Sequence, residues 1–148
     1  MKIAIASDHA GFTYKNLISK YLEDKGYVVH DFGTYTPESV DYPDYVHPLA
    51  TAIENKEFDY GIVICGSGEG VSMTANKHQG IRCALCWNED IAEVTRKHNN
   101  ANVLALSERF IPEDRVLKIV DKFLNTNFEG GRHERRVEKI PLKGGKAD

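Results

Sequence analysis

The stretch Asp59–Met73, DYGIVICGSGEGVSM, constrains the fold more than any other part of the chain. It opens on an apolar, β-branched run, Gly61–Ile64, short enough for a strand buried on both faces. It then breaks into Cys65-Gly66-Ser67-Gly68-Glu69-Gly70, and the residues from Val71 to Lys77 can continue as a helix. Strand, glycine loop and helix in that order aim free backbone N–H groups at an anion. A thiol stands where the sheet gives way to the helix.

Similar units recur on either side. Strands are expected at Lys2–Ser7, Tyr27–Phe32, Arg82–Cys86 and Asn102–Leu106. Helices are expected at Phe12–Lys25, with Gly26 just past its end, and at Asp44–Asn55, with Pro43 in the first turn. Further helices fit Asn88–His98, opened by an Asn cap, and Pro112–Leu124. This alternation predicts a single-domain, doubly wound α/β sandwich over residues 1–148, around a mostly parallel five-stranded sheet. Ligands in such folds sit beyond the carboxyl ends of the strands. Asp8-His9, the Cys65–Gly70 loop and the loop beyond the His98 helix are therefore expected to converge there.

Composition narrows the class. A formal net charge of -3 argues against general nucleic-acid binding. No apolar run approaches the roughly 18 residues that span a bilayer, and Asp8 comes too early for a signal peptide. Three cysteines, an odd number, do not form a disulfide framework, so a reducing cytoplasm is expected. Basic character is local. Between Gly130 and Lys146, Arg132, Arg135, Arg136, Lys139, Lys143 and Lys146 stand against Glu134 and Glu138. A short helix is expected over Arg132–Ile140, with 143–148 a frayed tail.

The glycine loop is neither a dinucleotide fingerprint nor a nucleoside-triphosphate loop, since it lacks the spacing of the first and the Gly-Lys-Ser/Thr ending of the second. It reads as an oxyanion cradle or as a tight strand-to-helix turn. Cys65 has three readings: an inert core thiol, a phosphatase-type nucleophile, or a thiolate base. The second needs arginine where Val71 stands. The third is favoured by a helix N-terminus, which stabilises a nearby anion by about 0.3–1 kcal/mol, and it needs no metal. Cys83 and Cys86, three apart on a strand, point to opposite faces and suit a core role better than zinc. His30, His47 and His78 have no informative neighbours. His9 follows Asp8 at a strand end, whereas His98 either caps helix carbonyls or serves a ligand among Asn99, Asn100 and Asn102. Arg132 and Arg136 fall one helical turn apart, as a phosphate grip requires, and Arg109 is a further cation.

With these motifs in order the chain resembles the ribose-5-phosphate isomerase B family, which also includes galactose-6-phosphate isomerase subunits. The match runs from Ser7-Asp8-His9-Ala10-Gly11 through Asp41-Tyr42-Pro43, Cys65–Gly70, Ala75-Asn76-Lys77 and His98–Asn102 to Glu129-Gly130-Gly131-Arg132-His133. The resemblance implies a cofactor-free, metal-free aldose–ketose isomerase working through a cis-enediolate. It implies Cys65 as the base, Ser67 assisting, and the N–H groups from Gly66 through Gly68 and Glu69 to Gly70 holding enediolate oxygens. Asp8 and His98 resemble the ring-opening pair. His9, Arg109, Arg132 and Arg136 resemble the phosphate grip, with Tyr42 and Asn99 toward the sugar. Some relatives replace the thiol with a glutamate at the position of Val71, so the thiol route is the one this chain supports. A secondary part for Glu69 stays open. The family's sites lie between subunits of a homodimer, and a tetramer is compatible. The expected substrate is ribose 5-phosphate; the rivals are a six-carbon sugar phosphate and a non-catalytic phosphosugar-binding module.

Overall fold

The computed structural model describes residues 1–142. Five strands, β1 (Lys2–Ser7), β2 (Val28–Asp31), β3 (Tyr60–Cys65), β4 (Cys83–Leu85) and β5 (Val103–Ser107), alternate with helices. The helices are α1 (Phe12–Asp24), α2 (Pro43–Glu54), α3 (Glu69–Ala75), α4 (Glu89–Asn99), α5 (Glu113–Leu124) and α6 (Arg132–Val137). The strand order is β2-β1-β3-β5-β4, and every pairing is parallel. The sheet is thus fully rather than mostly parallel.

Local signals place most boundaries within two residues. Gly26, at φ +94°, turns the chain out of α1, and its N–H donates to the Glu23 carbonyl. The Asn88 side chain accepts from the Ile91 N–H at 2.9 Å and so starts α4. Two expectations need correcting. Helix α3 starts at Glu69, inside the glycine loop and two residues before Val71, because Gly68 at φ +79° already reverses the chain. Helix α6 stops at Val137, short of Ile140. The tail expected at 143–148 lies outside the described residues.

The two faces of the sheet are packed differently. Ile3, Ile5, Ile62, Ile64, Leu104 and Leu106 meet α1, α4 and α5 in one core. Ala4, Ala6, Val63, Val103 and Ala105 meet α2 and α3 in the other. Each fully buried Ile or Leu contributes about 1.5–3 kcal/mol. The small residues let α2 come close; a Cβ on Gly61 would lie 3.0 Å from Leu49. Cys83 and Cys86 do sit on opposite faces, and burial pushes both thiols up to about 12.

Between β1 and β3 the strand order reverses, since β2 lies outward on one side and β5 and β4 on the other. A crevice opens at the carboxyl ends of strands flanking such a point. Asp8 leaves β1 there, and Cys65 is the last residue of β3.

Candidate active site

The crevice is a cleft of about 270 Å³ lined by Asp8, His9, Tyr42, Cys65, Gly66, Ser67, Gly70 and Arg109, among others. A larger groove of about 670 Å³ runs between α4 and α5, but its rim is solvated side chains such as Lys97, already paired with Glu93 at 2.7 Å.

Cys65 lies at the bottom of the cleft, 5% exposed, and its Sγ accepts from the Gly68 N–H at 3.2 Å. That amide belongs to the residue that caps α3, so the sulfur faces a backbone donor at the amino end of the helix. The Gly66 carbonyl is turned away. It accepts from the Ser107 hydroxyl at 2.6 Å and from the Arg109 N–H at 3.0 Å. Because the peptide is planar and trans, the Ser67 N–H points the opposite way. The N–H groups of Ser67 and Gly70 donate to no protein acceptor among the described residues. The Ser67 Oγ accepts from the Glu69 N–H at 3.2 Å, which leaves its hydroxyl proton to give elsewhere. Close approach requires glycine twice: a Cβ on Gly70 would run into the Tyr42 ring, and one on Gly66 would sit 3.1 Å from the Arg109 guanidinium carbon.

Asp8 is buried, and its Oδ1 accepts from the Ala10 N–H at 2.9 Å and the Gly11 N–H at 3.2 Å, which caps a short 3-10 turn. Its second oxygen has no hydrogen-bond partner among the described residues. The Val40 N–H donates to His9 Nδ1 at 3.1 Å, so the ring carries its proton on Nε2. Glu108, beside this cluster, is held above the usual carboxylate range by burial and by the Asp8 charge, against the donation of the Tyr14 N–H.

The remaining expected residues lie elsewhere. His98 and Asn99 end α4, which leads into the start of β5, at the amino ends of the strands. The loop after His98 therefore does not converge with Cys65; the third strand end at the cleft is that of β5, which brings Ser107 and Arg109. A helix returning to a parallel strand must finish at that strand's beginning, which separates the two sets by roughly 15–20 Å of sheet. Arg132 and Arg136 are exposed on α6, neither of them ion-paired among the described residues. This helix packs against α4, and the rings of His98 and His133 stack with centroids 4.3 Å apart. Sequence reasoning assigned no role to Ser107, Val40, Glu129 or His133. Val40 acts through its backbone N–H and Ser107 through a hydroxyl bonded to a carbonyl 41 residues away, contacts with no mark in the local sequence, whereas Glu129 and His133 stood within a recognised motif.

Residues 3–140 match the family model described as ribose/galactose isomerase. The ribose-5-phosphate isomerase B of Escherichia coli strain K12 is 44% identical, over 94% of this chain and 93% of that one. A ribose 5-phosphate isomerase structure from Thermotoga maritima superposes with a TM-score of 0.93 at 53% identity, covering 95% of this chain and 97% of that chain. The Mycoplasma genitalium enzyme, solved with bound ribulose 5-phosphate, has a TM-score of 0.90 at 48% identity and covers 94% and 93%. A crevice at the sheet reversal, a thiol under a glycine-loop amide and this similarity along nearly the whole length agree: the chain belongs to the ribose/galactose isomerase family.

Proposed function

We propose that this chain, acting as one domain, interconverts ribose 5-phosphate and ribulose 5-phosphate through a cis-enediolate. The observation that carries this reading is the Cys65 sulfur under the Gly68 amide, in a cleft that also receives the Ser67 N–H. The relatives named for this activity, one of them holding ribulose 5-phosphate, support the choice of a five-carbon sugar.

The thiolate takes the proton from C2. The electron pair left behind forms the C1–C2 double bond, and the carbonyl oxygen at C1 becomes the enediolate oxygen. Amides aimed at that oxygen stabilise charge that exists only during reaction. Cys65 then returns the proton to C1, while the hydroxyl proton passes from O2 to O1 beside Ser67. Ring opening precedes this: His98 gives a proton to the ring oxygen as its bond to C1 breaks, and Asp8 takes the proton of the C1 hydroxyl. His9, Arg109, Arg132 and Arg136 hold the phosphate, and Tyr42 and Asn99 face the sugar. Side chains and amides supply every group this sequence of steps uses.

Asp8 and His98 lie at opposite ends of the sheet, so a complete site needs two chains. A twofold homodimer that seats the α4–α6 end of one protomer on the Cys65 cleft of its partner supplies both halves. Met73, Trp87 and Val94, 64%, 59% and 42% exposed, are apolar surface available for that pairing. Among the described residues no helix is long and apolar enough to cross a membrane, and all three cysteines are free, in keeping with a reducing cytoplasm.

Turnover of ribose 5-phosphate in deuterated water tests the reading. Deuterium at C1 of ribulose 5-phosphate and C2 of recovered ribose 5-phosphate is expected. No turnover of this sugar beside brisk turnover of a six-carbon aldose phosphate would overturn the substrate; no turnover of either, with binding retained, would overturn the activity.

A further inference from the structure

The α4–α6 end carries a second layer behind the ring-opening acid. The Glu129 N–H donates to the Lys97 carbonyl at 3.1 Å, which anchors the connecting loop on the last turn of α4 beside His98. Gly130 and Gly131, at φ +70° and +56°, then reverse the chain so that α6 begins at Arg132. The His133 side chain, 12% exposed, lands flat on the His98 ring, with centroids 4.3 Å apart and planes 12° from parallel. Glu129 Oε1 lies 3.5 Å from His133 Nε2. We infer that Glu129 and His133 are positioning residues that hold the His98 imidazole in one plane, so that its proton reaches the sugar ring oxygen from a fixed direction.

This inference rests on the isomerase reading and adds two residues to it. The carboxylate fixes His133, and His133 fixes His98 by stacking. The ligand-type atoms of the three side chains lie within 4.8 Å of one another. Parallel rings, however, send their nitrogen lone pairs side by side rather than to a common point, which suits stacking and not chelation. The charged groups facing His133 are His98 from α4, Glu129 from the loop, and Arg132 and Arg136 from α6. Burial first, then His98, Arg132 and Arg136, lower His133 below its ordinary value against the pull of Glu129. Lowered in this way, His133 packs on the His98 ring as a neutral imidazole at pH 7.

The test compares full-length wild type with His133→Ala, His133→Phe and Glu129→Gln, each checked for unchanged fold and oligomer size. His133→Ala is expected to lower kcat about tenfold, to leave KM for ribose 5-phosphate within about twofold, and to move the acidic limb of the pH–kcat profile. His133→Phe restores a flat ring and should recover most of the kcat. Glu129→Gln should fall between Ala and wild type. A wild-type kcat and pH profile in His133→Ala overturns the inference. So does a raised KM at unchanged kcat, which marks a phosphate contact, or a His133→Phe variant as slow as His133→Ala. Titration of the His98 ring by NMR needs no substrate: a midpoint shift between wild type and His133→Ala supports the coupling, and identical titrations sink it. If wild type fails to turn over ribose 5-phosphate, the isomerase reading falls while this titration still decides the contact.

Discussion

The carboxyl and amino ends of the same sheet are built in contrasting ways. At the carboxyl end Cys65 is buried, its sulfur held by the Gly68 amide, and framed by contacts that tolerate no Cβ on Gly66 or Gly70 without movement of Arg109 or Tyr42. At the amino end Asn99, Arg132 and Arg136 are exposed, on helix termini rather than on strands. Abstracting a proton from carbon requires atoms fixed before the substrate arrives, which rigid strand ends provide. In the proposed reaction, gripping a phosphate tolerates longer, looser side chains, so Arg132 and Arg136 can join His9 and Arg109 from a surface that meets the cleft on assembly.

Removing the thiol should break the carboxyl end most severely. Cys65→Ala is expected to cut kcat by about 10²–10⁴ with little change in KM; steady-state kinetics check this, and near-normal kcat would remove the thiol from the mechanism. The division into two ends is tested next. Cys65→Ala and His98→Asn, each prepared alone, should be nearly inactive if the proposed dimer holds. Mixed in equal amounts after dissociation, they should recover about a quarter of wild-type activity, because about half of the randomly paired dimers are heterodimers and each of those carries one intact site out of two. No recovery, with heterodimers verified by mass, would mean that both halves act within one chain. Arg132→Ala and Arg136→Ala sharpen the amino end: each should raise KM about tenfold, as loss of a charge-assisted hydrogen bond predicts, while kcat holds.

The smallest effect is a control at the end of α2, on a residue the proposed reaction does not use. Glu54 accepts from the Gly80 N–H at 2.8 Å and from His78 at 3.0 Å. Burial alone would raise its carboxyl, but the Gly80 amide and His78 bring it below the usual range. A depressed carboxylate adds stability above its unfolded titration range, and that stability is lost as pH falls through the folded value. Glu54→Gln should therefore lower stability by about 1 kcal/mol at neutral pH, with the difference fading below about pH 4. Denaturant melts at several pH values check this, and activity should not change.

Much of this was legible in the chain. The alternation of apolar runs with capped helices gave the layers, because Asn88, Pro43 and Gly26 act locally on their own backbone. Cys65 and its loop were legible since alternating glycines beside a strand have few other uses. The partition into two ends was not, because whether His98 meets Cys65 depends on where a helix returns to the sheet. Helix α3 began early for a similar reason: the positive φ of Gly68 that starts it was open to any glycine in the loop. The stack of His133 on His98 depends on a loop tied to the Lys97 carbonyl, a long-range backbone contact with no residue-type signature.

The fate of the other two sulfurs has a practical consequence. Cys83 and Cys86 are held at about 12, so neither ionises appreciably in neutral solution. Electrophiles such as iodoacetamide should accordingly leave both unlabelled, so that an alkyl group taken up by the native chain reports on the loop cysteine and halts turnover in proportion. Bound sugar phosphate should slow that labelling, which makes the chain its own gauge of how many copies are competent.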